Sequence, residues 1–258
     1  MISFPIIGLG SKREVLVQFS WYKIKSKIAG TYFGIFWTML QPLLFFLLMY
    51  VVFTTVRARG DEIFAMYLMT GIVLYTTFVI GTTDGMISLR GNKSILQSIN
   101  MNKEFFPVSA TLTTAIQLIF RMVIFFALMP FFTFVPPFTI ILFPLLLGLL
   151  LILILGMSYI LSIIAVKFID IQALWAIAMF GLFFLTPIIW FVDEAQDTLL
   201  LIHQYNPLGQ LVEIGHKLMF NEIPDVATWA YASVFCFAIF FLGFYFFKKS
   251  EKNLVEVL

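Results

Sequence analysis

Charge is scarce in this chain. Of 258 residues only 12% are Asp, Glu, Lys or Arg, while 61% are hydrophobic. Soluble domains carry roughly 25% charge, so the composition excludes one and indicates an integral membrane protein. Cysteine is nearly missing: Cys236 stands alone, which excludes an intramolecular disulfide. The two histidines, His203 and His216, are 13 positions apart with no cysteine nearby and match no zinc spacing. No G-x-x-x-x-G-K-[ST] occurs, so no phosphate loop binds a nucleotide, and no G-x-S-x-G occurs. Carboxylate pairs inside the apolar runs are missing too, since Asp84 and Asp170 fall at expected inner helix ends. An enzyme is disfavoured, and active transport would need a partner that supplies energy. Met1–Phe4 has no charged region ahead of an apolar core, so no cleaved signal peptide is expected and the first span serves as the targeting signal.

What is present begins with a basic, amphipathic stretch. Val17, Trp21, Ile24 and Ile28 recur at spacings of three and four and share one helical face, with Lys23 and Lys27 on the other side. A cationic helix with Trp and Ile opposite its charges lies in the headgroup plane, which places an interfacial helix over 11–30. From Ile28 to Val56 no charge occurs at all. Residues 34–56 would form a helix about 34 Å long at ~1.5 Å per residue, enough to cross a bilayer core.

Charges mark off the remaining apolar segments. Between Glu62 and Asp84 lie 21 uncharged residues, between Asp170 and Asp193 another 22, and between Asp225 and Lys248 again 22. Each suffices for one span. Phe105–Val166 contains only Arg121 and is too long for one helix; Pro130, Pro136 and Pro137 divide it into a hairpin. The expectation is a single transmembrane domain, 1–258, that is all-α and integral to the membrane. It has six transmembrane helices over about 34–56, 63–83, 107–132, 139–166, 171–190 and 227–247. Orientation follows from the basic residues. With both termini in the cytoplasm, twelve of the 16 Lys and Arg fall inside, Arg57, Arg59 and Lys217 fall outside, and Arg121 lies within a span.

The outer segment 191–226 is not an ordinary loop. It carries six acids and two apolar runs, Thr198–Tyr205 and Leu208–Phe220, separated by Asn206-Pro207. Each run is too short to span, so they are expected as interfacial or re-entrant outer helices between spans five and six, with a surface cap as the alternative.

Three stripes are candidates for a conduit lining. Ser109, Thr113, Gln117 and Arg121 recur every four residues in the third span. An intramembrane arginine needs water, a partner or the interface, so lining, interhelical pairing and snorkelling are all open. Tyr67, Gly71, Tyr75, Phe78 and Thr82 share a face of the second span, and Trp175, Met179, Phe183, Thr186 and Trp190 share one of the fifth. Rings with polar edges suit a sliding sugar chain, yet with 32 Phe such stripes also arise as packing or interfacial belts.

At the first span the chain reads Lys27-Ile28-Ala29-Gly30-Thr31-Tyr32-Phe33-Gly34-Ile35-Phe36-Trp37-Thr38-Met39-Leu40-Gln41-Pro42. With Lys27, Thr31, Gly34, Trp37, Leu40 and Pro42 in place, this resembles the membrane subunit of bacterial polysaccharide-export ABC transporters, which move O-antigen, capsule or teichoic-acid chains. Ala29 and Phe33 depart from that pattern. Tyr67-Leu68, Gly71, Lys103, Phe106-Pro107, Asp170, Pro187 and Asn206-Pro207 follow in the same order, so the resemblance covers nearly the whole chain.

The resemblance implies a homodimer in the bacterial inner membrane, driven by two copies of a cytoplasmic ATPase that would hold ATP and magnesium; this chain itself needs no cofactor. The substrate implied is a polyprenyl-pyrophosphate-linked polysaccharide, with membrane lipid as a further contact and no nucleic acid. Lys25, Lys27 and Thr31 would meet its pyrophosphate, and Gly34 would let the backbone approach. Simple anchoring of these lysines to anionic lipid is the alternative. Loop 88–106 would hold the coupling helix that docks on the ATPase. Its residues suit that on their own terms: Asn92 is placed to cap a helix starting at Lys93, while Ile95, Leu96 and Ile99 form an apolar edge. A short helix lying on lipid is the alternative. Gly148, Gly156 and Ser158 are small residues that would allow close helix approach. Rival functions are a drug or small-lipid exporter permease, a polyprenyl-phosphate-dependent membrane transferase, and a passive channel.

Overall fold

The computed structural model describes residues 36–57, 62–98 and 102–251. Helices α1 (Phe36–Arg57), α2 (Glu62–Ile87), α3 (Lys93–Ser98), α4 (Phe105–Leu128) and α5 (Phe143–Lys167) come first. Helices α6 (Ile171–Leu185), α7 (Asp197–Tyr205), α8 (Pro207–Met219) and α9 (Val226–Ser250) follow, and no strand occurs among the described residues. Four stretches, Ile63–Ile87, Phe105–Phe132, Phe138–Lys167 and Val226–Ser250, are long and apolar enough to cross a membrane. Shorter apolar helices, Leu40–Thr55 and Ile171–Leu185, accompany them. The chain is an all-helical membrane protein. The interfacial helix expected over 11–30 lies outside the described residues.

Helix α2 lies at the centre of the bundle. In its apolar window 78% of the residues are buried, against 22% in α9. Helices α1, α4, α5 and α8 all pack on α2, and α9 covers the far side of α5. Hydroxyls within these helices bond back one turn, as Thr70 does to the Met66 carbonyl, Thr77 to Val73, Thr82 to Phe78 and Ser158 to Ile154. In a hydrocarbon setting such bonds satisfy a polar group that water cannot reach.

Proline sets the breaks. Pro130 opens a 3-10 turn after α4, Thr133 takes a left-handed conformation at φ 52°, and extended Pro137 leads into Phe138–Leu142 and α5. The fifth apolar stretch, expected as a helix over 171–190, is helical only over Ile171–Leu185. Pro187 pushes Thr186 out of the α region, at φ −99° and ψ 139°, so the helix stops there. The chain then packs back onto the bundle with Ile188 fully buried.

Small residues work inside the protomer. A side chain at Gly85 would strike Ser158, and one at Gly156 would come within 2.7 Å of the Phe240 backbone. Gly156 and Ser158 therefore serve the α5–α9 and α2–α5 contacts, while Gly148 has nothing within 4 Å.

Candidate functional site

The residues expected to hold a headgroup, Lys25, Lys27, Thr31 and Gly34, lie outside the described residues, as does Ile99. At the end of the bundle that carries Arg90, Lys103, Lys167 and Lys248, the turn Arg90–Asn92 leads into α3. The Asn92 side-chain amide donates to the Ser88 carbonyl at 2.7 Å, one turn back. Ile95 and Leu96 pack against Leu89, Phe106, Tyr159, Ile163 and Phe247. The apolar edge of α3 thus rests on its own bundle, with Lys93 and Ser94 exposed. Nearby, Lys248 pairs with Glu104 at 2.5 Å and the Lys103 ammonium donates to the Glu251 carbonyl at 2.6 Å. These bonds fasten the start of α4 to the end of α9.

The two aromatic stripes meet each other. Tyr67 Oη donates to the Trp190 carbonyl at 2.8 Å, and Tyr75 Oη donates to the Met179 carbonyl at 2.6 Å. Tyr75 and Phe183 stand edge to face at 5.2 Å. The missing side chain at Gly71 makes room for Ile188, which would lie only 3.1 Å from a methyl group placed there. Tyr67, Phe78 and Phe183 are accordingly buried in the protein interior. Toward the basic end the stripes part and leave a groove. Tyr75, Val79, Thr83, Met86 and Ile87 of α2 form one wall, and Gln172, Trp175, Ala176, Met179 and Phe180 of α6 form the other. Of the stripe residues, Tyr75, Trp175 and Met179 face it.

The polar stripe of α4 turns to α2. Ser109, Thr113, Gln117 and Arg121 are all buried, and Arg121 donates to Thr77 Oγ1 at 2.9 Å. Pro42, Leu43, Met69, Val73 and Ile124 line a small cavity with Arg121 where α1, α2 and α4 meet. The Arg121–Thr77 bond is an interhelical pairing, one of the three roles open to Arg121 on sequence grounds.

At the opposite end a polar network fills the interior of α7 and α8, and the sequence reading missed it. His203 Nε2 contacts Glu213 Oε2 at 2.6 Å, Lys217 pairs with the other Glu213 oxygen at 2.7 Å, and Gln210 donates to the His203 carbonyl at 3.2 Å. His216 stacks on Tyr67 at 3.5 Å, and its Nε2 donates to the Tyr67 carbonyl at 3.0 Å. Asn206 donates to Thr186 Oγ1 at 3.0 Å, and Thr139 donates to the Leu218 carbonyl. Burial pushes the Glu213 carboxyl up, but hydrogen bonds from His203 and Lys217 outweigh it and hold the pKa at about 2. Burial pushes His216 down to about 3, against the upward pull of the Tyr67 carbonyl and Glu213. The one local signal was the i,i+4 spacing of Glu213 and Lys217, which marks a helical ion pair. Among the described residues no cluster is suited to a metal ion.

No protein-family profile matches the chain. Curated relatives do. An O-antigen export system permease protein RfbA of Myxococcus xanthus is 23% identical over 238 residues, covering 86% of this chain and 92% of the relative. Two proteins of the same name from Klebsiella pneumoniae are 21% and 22% identical, each covering 97% of both chains. The chain is similar to O-antigen export permeases. The resemblance read from Lys27–Pro42 and the motifs that follow it is borne out, and a permease rather than an enzyme is indicated.

Similarity to such permeases brings Arg121 into focus, since it is a charge built into the bundle. Replacing Thr77 by Val should destabilise the protein by about 1–3 kcal/mol, because the change removes an acceptor from a buried cationic donor. Thermal unfolding in detergent reads this. A Thr77→Val variant that melts like the parent would show that the bond contributes nothing.

Proposed function

We propose that this chain is the permease subunit of an ATP-driven exporter of lipid-linked, O-antigen-like polysaccharide. The observation that carries the reading is similarity to O-antigen export permeases across 97% of the chain, with no interruption by a domain of another kind. The sequence has no phosphate loop, so ATP and magnesium would sit on a separate ATPase subunit. In this reading α1, α2, the α4 and α5 stretches, α6 and α9 are six membrane-crossing elements, and two copies of the chain pair with two ATPase copies. Arg90, Lys93, Lys103, Lys167, Lys248 and Lys249 gather at one end of the bundle, which faces the cytoplasm of the inner membrane by the excess of basic residues. Helix α8, buried among α2, α5 and α9, stands at the outer end as a re-entrant element.

The packing of α3 decides how the coupling site is tested. Ile95 and Leu96 seat that helix on the bundle, so charging them would damage the chain itself. The outward Lys93 and Arg90 are the contact to change. Tagged protein drawn from detergent extracts should bring down a soluble ATPase in equal amount. The double variant Arg90→Glu, Lys93→Glu should lose it about tenfold, the fold-change of ~1.4 kcal/mol, at unchanged melting temperature. Recovery of the chain alone, able to transfer a polyprenyl-phosphate sugar, would replace the permease reading with a transferase.

A further inference from the structure

The connection between α4 and α5 differs from its neighbours at the end of the bundle opposite Lys103, Lys167 and Lys248. Residues 57–62 carry Arg57, Arg59, Asp61 and Glu62, and residues 191–226 carry six acids and Lys217. Residues 129–142 carry no charge, nor does any position from Met122 to Val166. Yet Phe131, Val135, Phe138 and Ile141 of this turn are 67% to 84% exposed.

One side of the turn is fastened to protein. Phe132 stands edge to face with Phe46 and Tyr50 of α1, at 5.8 and 5.7 Å. Phe134 meets Phe220 at 5.9 Å, and Thr139 donates to the Leu218 carbonyl at the end of α8. The backbone suits a medium without water. Pro130, Pro136 and Pro137 have no N–H to satisfy, and the amides of Thr133, Phe134 and Ile140 donate within the turn. Thr133 is its single exposed polar side chain. From Lys167 to Phe143 α5 rises about 36 Å at ~1.5 Å per residue, which carries the turn to the far edge of a ~30 Å core. Helix α1 runs on from Tyr50 to Arg57, about 10 Å further, so its charged end stands beyond the turn.

A surface that awaits a protein partner ends in a polar rim. This one does not. Phe131 continues the exposed line of Ile119, Val123 and Ala127 up α4, and Ile141 continues into Leu145 of α5. Those flanks belong to stretches long and apolar enough to cross a membrane, so the turn extends a surface that lipid covers.

We propose that the α4–α5 turn is seated in the bilayer, with Phe131, Val135, Phe138 and Ile141 held among phospholipid acyl chains at the far edge of the core. The turn is then a lipid anchor rather than a water-facing loop, and through Thr139 and Phe134 it fixes the depth of α8. The proposal needs only that α4 and α5 cross the membrane, and it stands whatever the protein exports.

The test places a nitroxide at Val135→Cys in the full chain, held in nanodiscs of phosphatidylethanolamine and phosphatidylglycerol. Both faces of a disc meet buffer, so access does not depend on orientation. Cys236 is buried, and the parent supplies the background. Ile223→Cys is the reference, because Ile223 is 74% exposed but lies between Glu222 and Asp225. Dissolved oxygen concentrates in hydrocarbon, while a water-soluble nickel chelate stays out of it. The ratio of oxygen to chelate collisions should be at least about tenfold higher at Val135→Cys, the fold-change of ~1.4 kcal/mol. A nitroxide at Phe138→Cys should agree. A smaller ratio at both positions marks a turn in water and overturns the proposal. So do weak collisions with both reagents, which mark a protein cover, and magnetic broadening between labels, which marks a second copy of the chain as that cover.

Discussion

Acidification from pH 7 to pH 4 should lower the stability of the detergent-solubilised protein by about 3 kcal/mol, with His216 the main cause. The imidazole is 4% exposed, lies on the Tyr67 ring, and donates to the Tyr67 carbonyl. Burial holds its pKa at about 3, down from 6.5. An unfolded chain takes up a proton at this position as the pH falls through 6.5, while the folded chain refuses it until about 3. The unfolded state therefore binds more protons across that window, and stability falls with the pH throughout it. The contribution is fully present above pH 6.5. Each unit within the window removes up to about 1.4 kcal/mol.

Glu213 acts in a different range, which allows the two to be told apart. Its carboxyl is held at about 2 in the folded chain against 4.5 ordinarily, so its stabilisation is present above 4.5 and is lost as the pH falls from there towards 2. A loss that begins near pH 6.5 belongs to the histidine. His216→Phe keeps an aromatic ring against Tyr67, removes the donor, and should cost about 1–3 kcal/mol at pH 7. Its melting temperature should then be flat between pH 6.5 and 5. A variant as steep as the parent over that range would show that the slope arises elsewhere.

The helical class was legible because membrane crossing imposes long charge-free runs, and Glu62, Asp84, Asp170, Asp193, Asp225 and Lys248 mark the gaps between them. Periodicity also put Arg121 on one face with Ser109, Thr113 and Gln117, and that face turned out to be shared and buried. A helical wheel names a face without naming its neighbour. The stripes of Tyr75 and Phe183 were both visible, but that they lock together at one end and part at the other depends on where α6 stops and how Ile188 folds back onto Gly71. The same limit applied to α3. An apolar edge such as Ile95 and Leu96 looks alike whether it awaits a partner or rests on Phe106 and Tyr159. The His203–Glu213 pair joins two helices across the Asn206-Pro207 turn, so no single periodicity reports it.

Gly243→Val should be the most damaging single change in the bundle, costing about 3 kcal/mol or more. Helices α5 and α9 approach so closely that a side chain at Gly243 would strike the Gly156 carbonyl, and one at Gly156 would meet the Phe240 backbone. The obstacle is backbone rather than a flexible side chain that could swing aside, so the helices themselves must separate. Separation would also strip Tyr159 from Phe247, Phe244 and Phe240, whose rings lie 5.1, 5.6 and 6.2 Å from it. In a membrane, where lipid is as apolar as the helix surface, close approach and packing hold such a pair together, and both would be lost at once. Gly148→Val, on the partner helix α5, is the control. With nothing within 4 Å of it, that change should stay within about 0.5 kcal/mol of the parent in the isolated protomer. Thermal unfolding in detergent separates the two variants. Equal melting of Gly243→Val and the parent would mean that α5 and α9 are not in backbone contact. A collapse of Gly148→Val alone would move the close-packed seam from within the protomer to the surface between two copies.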